Sequence, residues 1–293
     1  MPFHIDAQKY LLNIKKIINA DAKDVPLGRK QQLYLNSSMK LLLTQLLAQN
    51  CPSNRDKSYL MEHILRRIIA NMPVALYQYA LTLVATGQCA AAMAYLNLAI
   101  TRGHLPSRAL MAYMLSGGRE GVAKDHKRAF ELVTRGYQMG CHHCQGVLAM
   151  CYMLGYGCVK ADATRSLELA WVSSDKGSKY GQCVLGSLYR CGLGGVKKNS
   201  NKAVELFQIA AAQKLDWALC CLGEMIGNYG EALRLYQLAA AQGFSDALFS
   251  VGLCHEFGDS VPVDVEVARS WFQRAQAAGS QDAKWALQRL LYK

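Results

Sequence analysis

Gly181 to Lys214 reads GQCVLGSLYRCGLGGVKKNSNKAVELFQIAAAQK, and its reading decides the fold. Small and apolar residues at Leu185, Gly186 and Tyr189 mark one helix, a Gly-rich turn follows, and a second helix closes on an Ala run. The pattern recurs upstream at a fixed interval. Val122, Val159 and Val196 lie 37 residues apart, as do Glu131, Glu168 and Glu205, with Asp125, Asp162 and Asn199 in step. Self-similarity at such a period is the mark of a solenoid of helix pairs, in which each pair buries its apolar face only against its neighbours.

Working outward, the anchors of the array are visible one by one. Small or short residues stand near the start of each first helix at Ser107, Cys144, Gly181, Ala218, Ala247 and Ala283. Four residues earlier come Gly103, Gly140, Gly177, Lys214, Gly243 and Gly279, where a left-handed residue ends the preceding helix; Lys214 is the departure. Asp125, Asp162, Asn199 and Asp264 precede the second helices as caps, and Asn228 with Glu231 has the capping-box pattern. The fourth repeat lacks about eight loop residues, since Ala232 follows Ala218 by 14 where Ala203 follows Gly181 by 22. That shortening predicts a local change of curvature.

Upstream, residues 6–20 and 29–49 read as two amphipathic helices of an N-terminal helical cap, 1–50, and 51–58 as a linker broken by Pro52. Residues 59–106 read as divergent tetratricopeptide-like helix pairs, and 107–293 as the array proper with a capping helix at its end. Ile68 to Thr101 contains no charged residue, but Pro73 and Gly87-Gln88 cut it below the roughly 20 apolar residues of a membrane span, so it is expected to be a buried hairpin.

Composition narrows the function classes. With 52% hydrophobic and 18% charged residues, the 293-residue chain can bury a continuous core. Its formal charge of +12 favours acidic partners, such as nucleic acid, an anionic membrane or an acidic protein. The 11 cysteines fall mostly where other repeats carry Ala, Gly or Leu, and so read as small buried hydrophobes in a reducing compartment. No secretory or mitochondrial leader is recognisable in the first residues, and the expected location is cytoplasmic.

The segments LGSLYRCGLGGVKKNSNKAVELFQIAAAQ, GVLAMCYMLGYGCVKADATRSLELA and FSVGLCHEFGDSVPVDVEVARSWFQRAQAAG resemble Sel1-like repeats, relatives of tetratricopeptide repeats. The resemblance covers about 107–293. It implies an all-α right-handed superhelix with the first helices lining the inner face, and a role as an adaptor in multiprotein complexes. Secreted cysteine-rich members of that family bridge each repeat by a disulfide; the Ala runs at Ala210 to Ala212 and Ala239 to Ala241 depart from that pattern, and only Cys141 and Cys144 approach it.

One tract and two surfaces carry candidate chemistry. Cys141-His142-His143-Cys144 is the tract with metal-ligand chemistry, but no second pair matches it and it falls on a repeat junction, so the expectation is no metal. Each GxG lies between two helices and not after a strand, which removes the phosphate-loop context; neither a catalytic constellation nor a cofactor motif is present. Tyr113, Met150, Ser187, Glu224 and Leu253 share one repeat phase on the first helices, with Met114, Met153, Met225 and Phe257 nearby, and outline an inner groove for a protein or peptide partner; the same spacing also suits core packing. Lys124, Arg128, Lys160, Arg165, Lys197, Lys198 and Lys202 outline a basic edge, the alternative surface for nucleic acid or an anionic membrane. Aromatic residues do not interleave with these cations, which counts against a base-stacking platform. Glu131, Glu168 and Glu205, three residues on, can neutralise the edge locally. The expected function is therefore a non-catalytic interaction scaffold.

Overall fold

The computed structural model describes residues 73–291. The expected cap helices at 6–20 and 29–49 and the linker at 51–58 lie outside them. The chain divides into two units, residues 1–79 and 80–293, and the repeat array belongs to the second.

Among the described residues the structure is helical throughout its regular elements. Two helices, α1 (Pro73–Ala85) and α2 (Cys89–Thr101), precede five pairs: α3 (Leu105–Gly117) with α4 (His126–Gln138), α5 (His142–Leu154) with α6 (Ala163–Asp175), α7 (Lys179–Cys191) with α8 (Ser200–Ala212), α9 (Asp216–Met225) with α10 (Tyr229–Ala240), and α11 (Ser245–Phe257) with α12 (Val265–Ala277). A last helix, α13 (Gln281–Leu290), packs on α12. The described part of the uncharged stretch, 73–101, forms α1 and α2, with Leu83, Ala92, Leu96 and Ala99 buried. No described helix is long and apolar enough to cross a membrane.

Local chemistry explains where each helix begins and ends. The side chains of Asp125, Asp162, Asn199, Asn228 and Asp264 accept the backbone N–H three residues on, at 2.9 to 3.1 Å. Each satisfies one donor that a helix N-terminus leaves open. At the junctions Gly103, Gly140, Gly177, Gly243 and Gly279 all have φ between +72° and +89°. Lys214 adopts φ +60° at the same place, so the departure in sequence is accommodated without a change of backbone, at the cost a side chain incurs in the left-handed region.

The packing of the last three pairs depends on glycine facing a ring. Gly186, Gly252 and Gly223 on first helices face Phe207, Phe272 and Tyr236 on second helices so closely that a Cβ at Gly186 would stand 2.8 Å from the Phe207 ring. At the same repeat positions in the first two pairs stand Ala112 with Val133 and Ala149 with Ala170, all fully buried. In the last three pairs a ring on the second helix is thus matched by a glycine opposite, while the first two pairs place Ala against Val or Ala.

Candidate inner-groove binding site

First helices stack directly, α3 on α5 and α5 on α7, while the second helices pack between them from outside. Residues repeated at one phase therefore converge on the inner face. Among them a cavity of about 320 Å³ opens. Tyr113 and Gly117 from α3, Met150, Met153 and Leu154 from α5, and Ser187, Arg190 and Cys191 from α7 form its walls, with Tyr156, Leu193, Trp217 and Phe244 completing it. The surface is mostly apolar, with a charged group at its margin where Arg190 pairs with Glu224 at 2.5 Å.

The five expected groove positions divide. Tyr113, Met150 and Ser187 are brought together in the cavity, but only 4 to 5% of each is exposed, so they form its floor. Glu224 joins the site only through Arg190. Leu253, one repeat further on, does not line it. Of the neighbouring residues, Met114 is core and Met153 lines the cavity. The more accessible wall comes from Leu154 and Leu193, each 44% exposed.

Against two of the lining rings, Tyr113 and Phe244, lies a charged cluster that the repeat pattern did not disclose. Arg119 occupies the same repeat position as Tyr156 and Leu193, but lies fully inside the protein. Its guanidinium sits over the Tyr113 and Phe244 rings, at 4.9 and 4.7 Å from their centroids. Nη1 donates to the Gly118 carbonyl at 2.7 Å, and Nη2 lies 2.7 Å from Asp216 Oδ2 as an ion pair, outside hydrogen-bond alignment. The Tyr113 hydroxyl donates to the other Asp216 oxygen. Burial opposes the Arg119 charge, but Asp216 and Tyr113 more than offset it and raise its pKa. Burial and the Asp216 charge together push the Tyr113 hydroxyl well above its ordinary range, keeping it a donor. A charged residue at a phase where its counterparts are Tyr and Leu is the one sign of this cluster in the sequence.

The loop carrying Arg119 joins the start of the array to its later part. Glu120 N–H donates to the Gly243 carbonyl at 3.2 Å, Glu120 pairs with Arg274 at 3.2 Å, and Lys124 Nζ donates to the Gly279 carbonyl at 3.1 Å. Ser245 Oγ donates to Gly117 O at 3.3 Å, and Cys89 Sγ to Gln242 O at 3.4 Å. Repeat one thus buckles to the junction of repeats four and five at Gly243 and to the second helix and end of repeat five at Arg274 and Gly279.

The expected basic edge is partly consumed within the protein. Lys124 belongs to the buckle, Arg165 pairs with Glu168 at 3.0 Å, and Lys202 donates to the Tyr189 hydroxyl at 2.8 Å. Arg128, Lys160, Lys197 and Lys198 remain on exposed positions. Among the described residues, those of the Cys141 to Cys144 tract included, no three His, Cys, Asp or Glu side chains converge. His143 Nδ1 instead lies 3.1 Å from Ser178 Oγ, and Cys144 turns inward to the Leu105 carbonyl at 3.7 Å.

Comparison with known proteins agrees with this architecture. The sequence model of the Sel1 repeat matches residues 106–141, 142–170, 179–215, 219–244 and 245–280, over half of the chain. No curated protein sequence matches. Among solved structures, a protective antigen of uropathogenic Escherichia coli displaying an SLR fold aligns with 77% of this chain at 23% identity and a TM-score of 0.42, and the chain spans half of that protein's length. A Sel1 repeat protein from Oxalobacter formigenes aligns with 71% of this chain and 86% of its own, at 22% identity and a TM-score of 0.44. An immunity protein from Pseudomonas aeruginosa, Pa5087, aligns with 62% of this chain and 68% of its own, at 20% identity and a TM-score of 0.43. With five matched repeats and the helix pairs that they specify, this chain belongs to the Sel1 repeat family.

Proposed function

We propose that the protein is a non-catalytic adaptor of the cytoplasm that holds a partner protein by an extended or helical segment in the inner groove. Sel1 repeats are in general protein-interaction modules. The observation that carries the finer reading is the apolar cavity between α3, α5, α7 and α9, whose floor of Tyr113, Met150 and Ser187 is held by the array itself. A surface formed in advance lowers the ordering cost of binding, and the flexible thioethers of Met150 and Met153 adapt to different side chains. The basic-edge alternative has less support, because three of its seven cations are engaged internally.

The test is capture of partners from a cell extract by the native chain and by a Met153→Glu/Leu193→Glu variant, at low and high salt and with nuclease. Both residues line the cavity, and neither is fully buried, so the helical signal of the variant is expected to match the native one. A partner that resists salt and nuclease but is lost with the variant supports the groove. Binding that falls steeply with salt in both chains assigns it to the exposed cations instead.

A further inference from the structure

The second helices keep their caps in step, so residues at equal distance from the cap share one phase along the outside of the array. Ten residues after each cap stand Arg135, Val172, Ile209, Leu238 and Arg274. The three aliphatic residues belong to α6, α8 and α10, consecutive second helices, and are 44, 50 and 48% exposed, with Trp171 beside Val172 at 55%. A single exposed apolar residue is ordinary, but a row of them in register across three repeats forms a patch. Arg135 and Arg274 hold the same phase in the first and last repeats, so the row has charge at both ends, as an interface core has within its polar rim. Other exposed apolar residues, such as Tyr229, Phe257 and Val263, stand at unrelated phases and make no such row.

Beside the aliphatic row the charges reverse sign along the array. Three and six residues after the cap, repeat two carries Arg165 and Glu168 and repeat three carries Lys202 and Glu205, whereas repeat four carries Glu231 and Arg234. All six residues are exposed. Repeats two and four flank repeat three and thus hold the same two positions with opposite signs.

We propose that this outer face binds a second copy of the chain, about a two-fold axis running along α8 beside Ile209. Such an axis sets repeat two of one copy against repeat four of the other and keeps equivalent positions level. Val172 then meets Leu238 of the second copy, and Ile209 meets its own image. Arg165 faces Glu231 of the second copy, and Glu168 faces Arg234 of the second copy. The interface is isologous, so each of these contacts is made twice. The reversal of sign in repeat four, which the packing of a single chain does not use, is what makes the face complementary to itself. On the axis, Lys202 is drawn aside to the ring and hydroxyl of Tyr189, while Glu205 lies one turn from Ile209 and comes near its own image. That like-charge contact is the one unfavourable feature of the arrangement and gives it a distinctive test.

The experiment is sedimentation equilibrium of the full chain at rising concentration, with circular dichroism as the check on folding. The expected result is a reversible passage from the mass of one chain to the mass of two. Ile209→Glu puts two carboxylates on the axis and should leave only single chains while the helical signal stays native. Glu231→Arg/Arg234→Glu sets like charges against each other and should abolish pairing as well; adding Arg165→Glu/Glu168→Arg to that same chain should restore it. Glu205→Gln should shift pairing to lower concentration. The proposal is overturned if the native chain keeps the mass of one chain throughout, or if Ile209→Glu still pairs. A folded fourfold charge variant that stays single overturns it too. Pairing that persists in Ile209→Glu but is lost in the groove variant Met153→Glu/Leu193→Glu would assign the self-contact to the inner groove and not to the outer face.

Discussion

The pairs α5 to α8 and the buckle around Arg119 hold one array together in opposite ways. In the middle pairs the close contacts at glycine are short in sequence: Gly146 packs against Gly181 and Ser173, and Gly186 against Phe207. Each such contact depends on its own repeat and the next, as in any quasi-one-dimensional solenoid. In the buckle, by contrast, Tyr113 reaches Asp216, Glu120 reaches Arg274 and Lys124 reaches Gly279, with separations of 103 to 155 residues. Regular repeats supply stability piece by piece, and the buckle makes the pieces depend on one another.

The sharpest way to break this contrast is to remove one charge from the buckle. Arg119→Ala leaves Asp216 uncompensated in the interior and should cost about 3–5 kcal/mol in urea unfolding. Hydrogen exchange should then accelerate at Glu120 and Val122 and also around Gly243, two places distant in sequence. Arg119→Met with Asp216→Leu should recover much of the loss, since an apolar replacement carries no unpaired charge. In the middle pairs Gly146→Ala places a Cβ 2.5 Å from the Gly181 backbone nitrogen. Overpacking of that kind should cost about 1–3 kcal/mol, with faster exchange confined to α5, α6 and α7.

Acid should act in a narrower way. Burial lowers His104 and His143 to about 4, below their unfolded value, so between about pH 6.5 and pH 4 the unfolded chain binds protons that the folded chain refuses. Stability should fall as pH drops through that window and level off for these groups below it. A His104→Gln/His143→Gln variant should show a flatter urea midpoint between pH 6.5 and pH 5.5. Smallest of all, Glu168→Gln removes an exposed i,i+3 pair and should change stability by about 0.5 kcal/mol or less.

The two regions also differ in how well they can be read from sequence. The caps at Asp125, Asp162, Asn199 and Asp264 and the junction glycines are local devices, and each residue announces its own backbone geometry. The groove floor at Tyr113, Met150 and Ser187 was legible because a repeat phase converts directly into a shared face. Its far boundary was not: Leu253 keeps the phase but does not line the cavity, which takes Phe244 as its last residue. Curvature is a sum of small rotations, and no single residue encodes it. Arg119 and Asp216 lie 97 residues apart, and beyond the charge of Arg119 at a phase of Tyr and Leu nothing local announces that they meet.

Lys214 and the shortened repeat lie between the two halves of the buckle, and this fixes more than shape. An open array tolerates gain or loss of a unit, because each new unit meets the same neighbour as the old one. Here a duplicated 37-residue unit between Asp125 and Asp216 would carry the carboxylate away from its guanidinium partner. A unit added there would break that ion pair and, with it, the contacts of Glu120 with Arg274 and of Lys124 with Gly279.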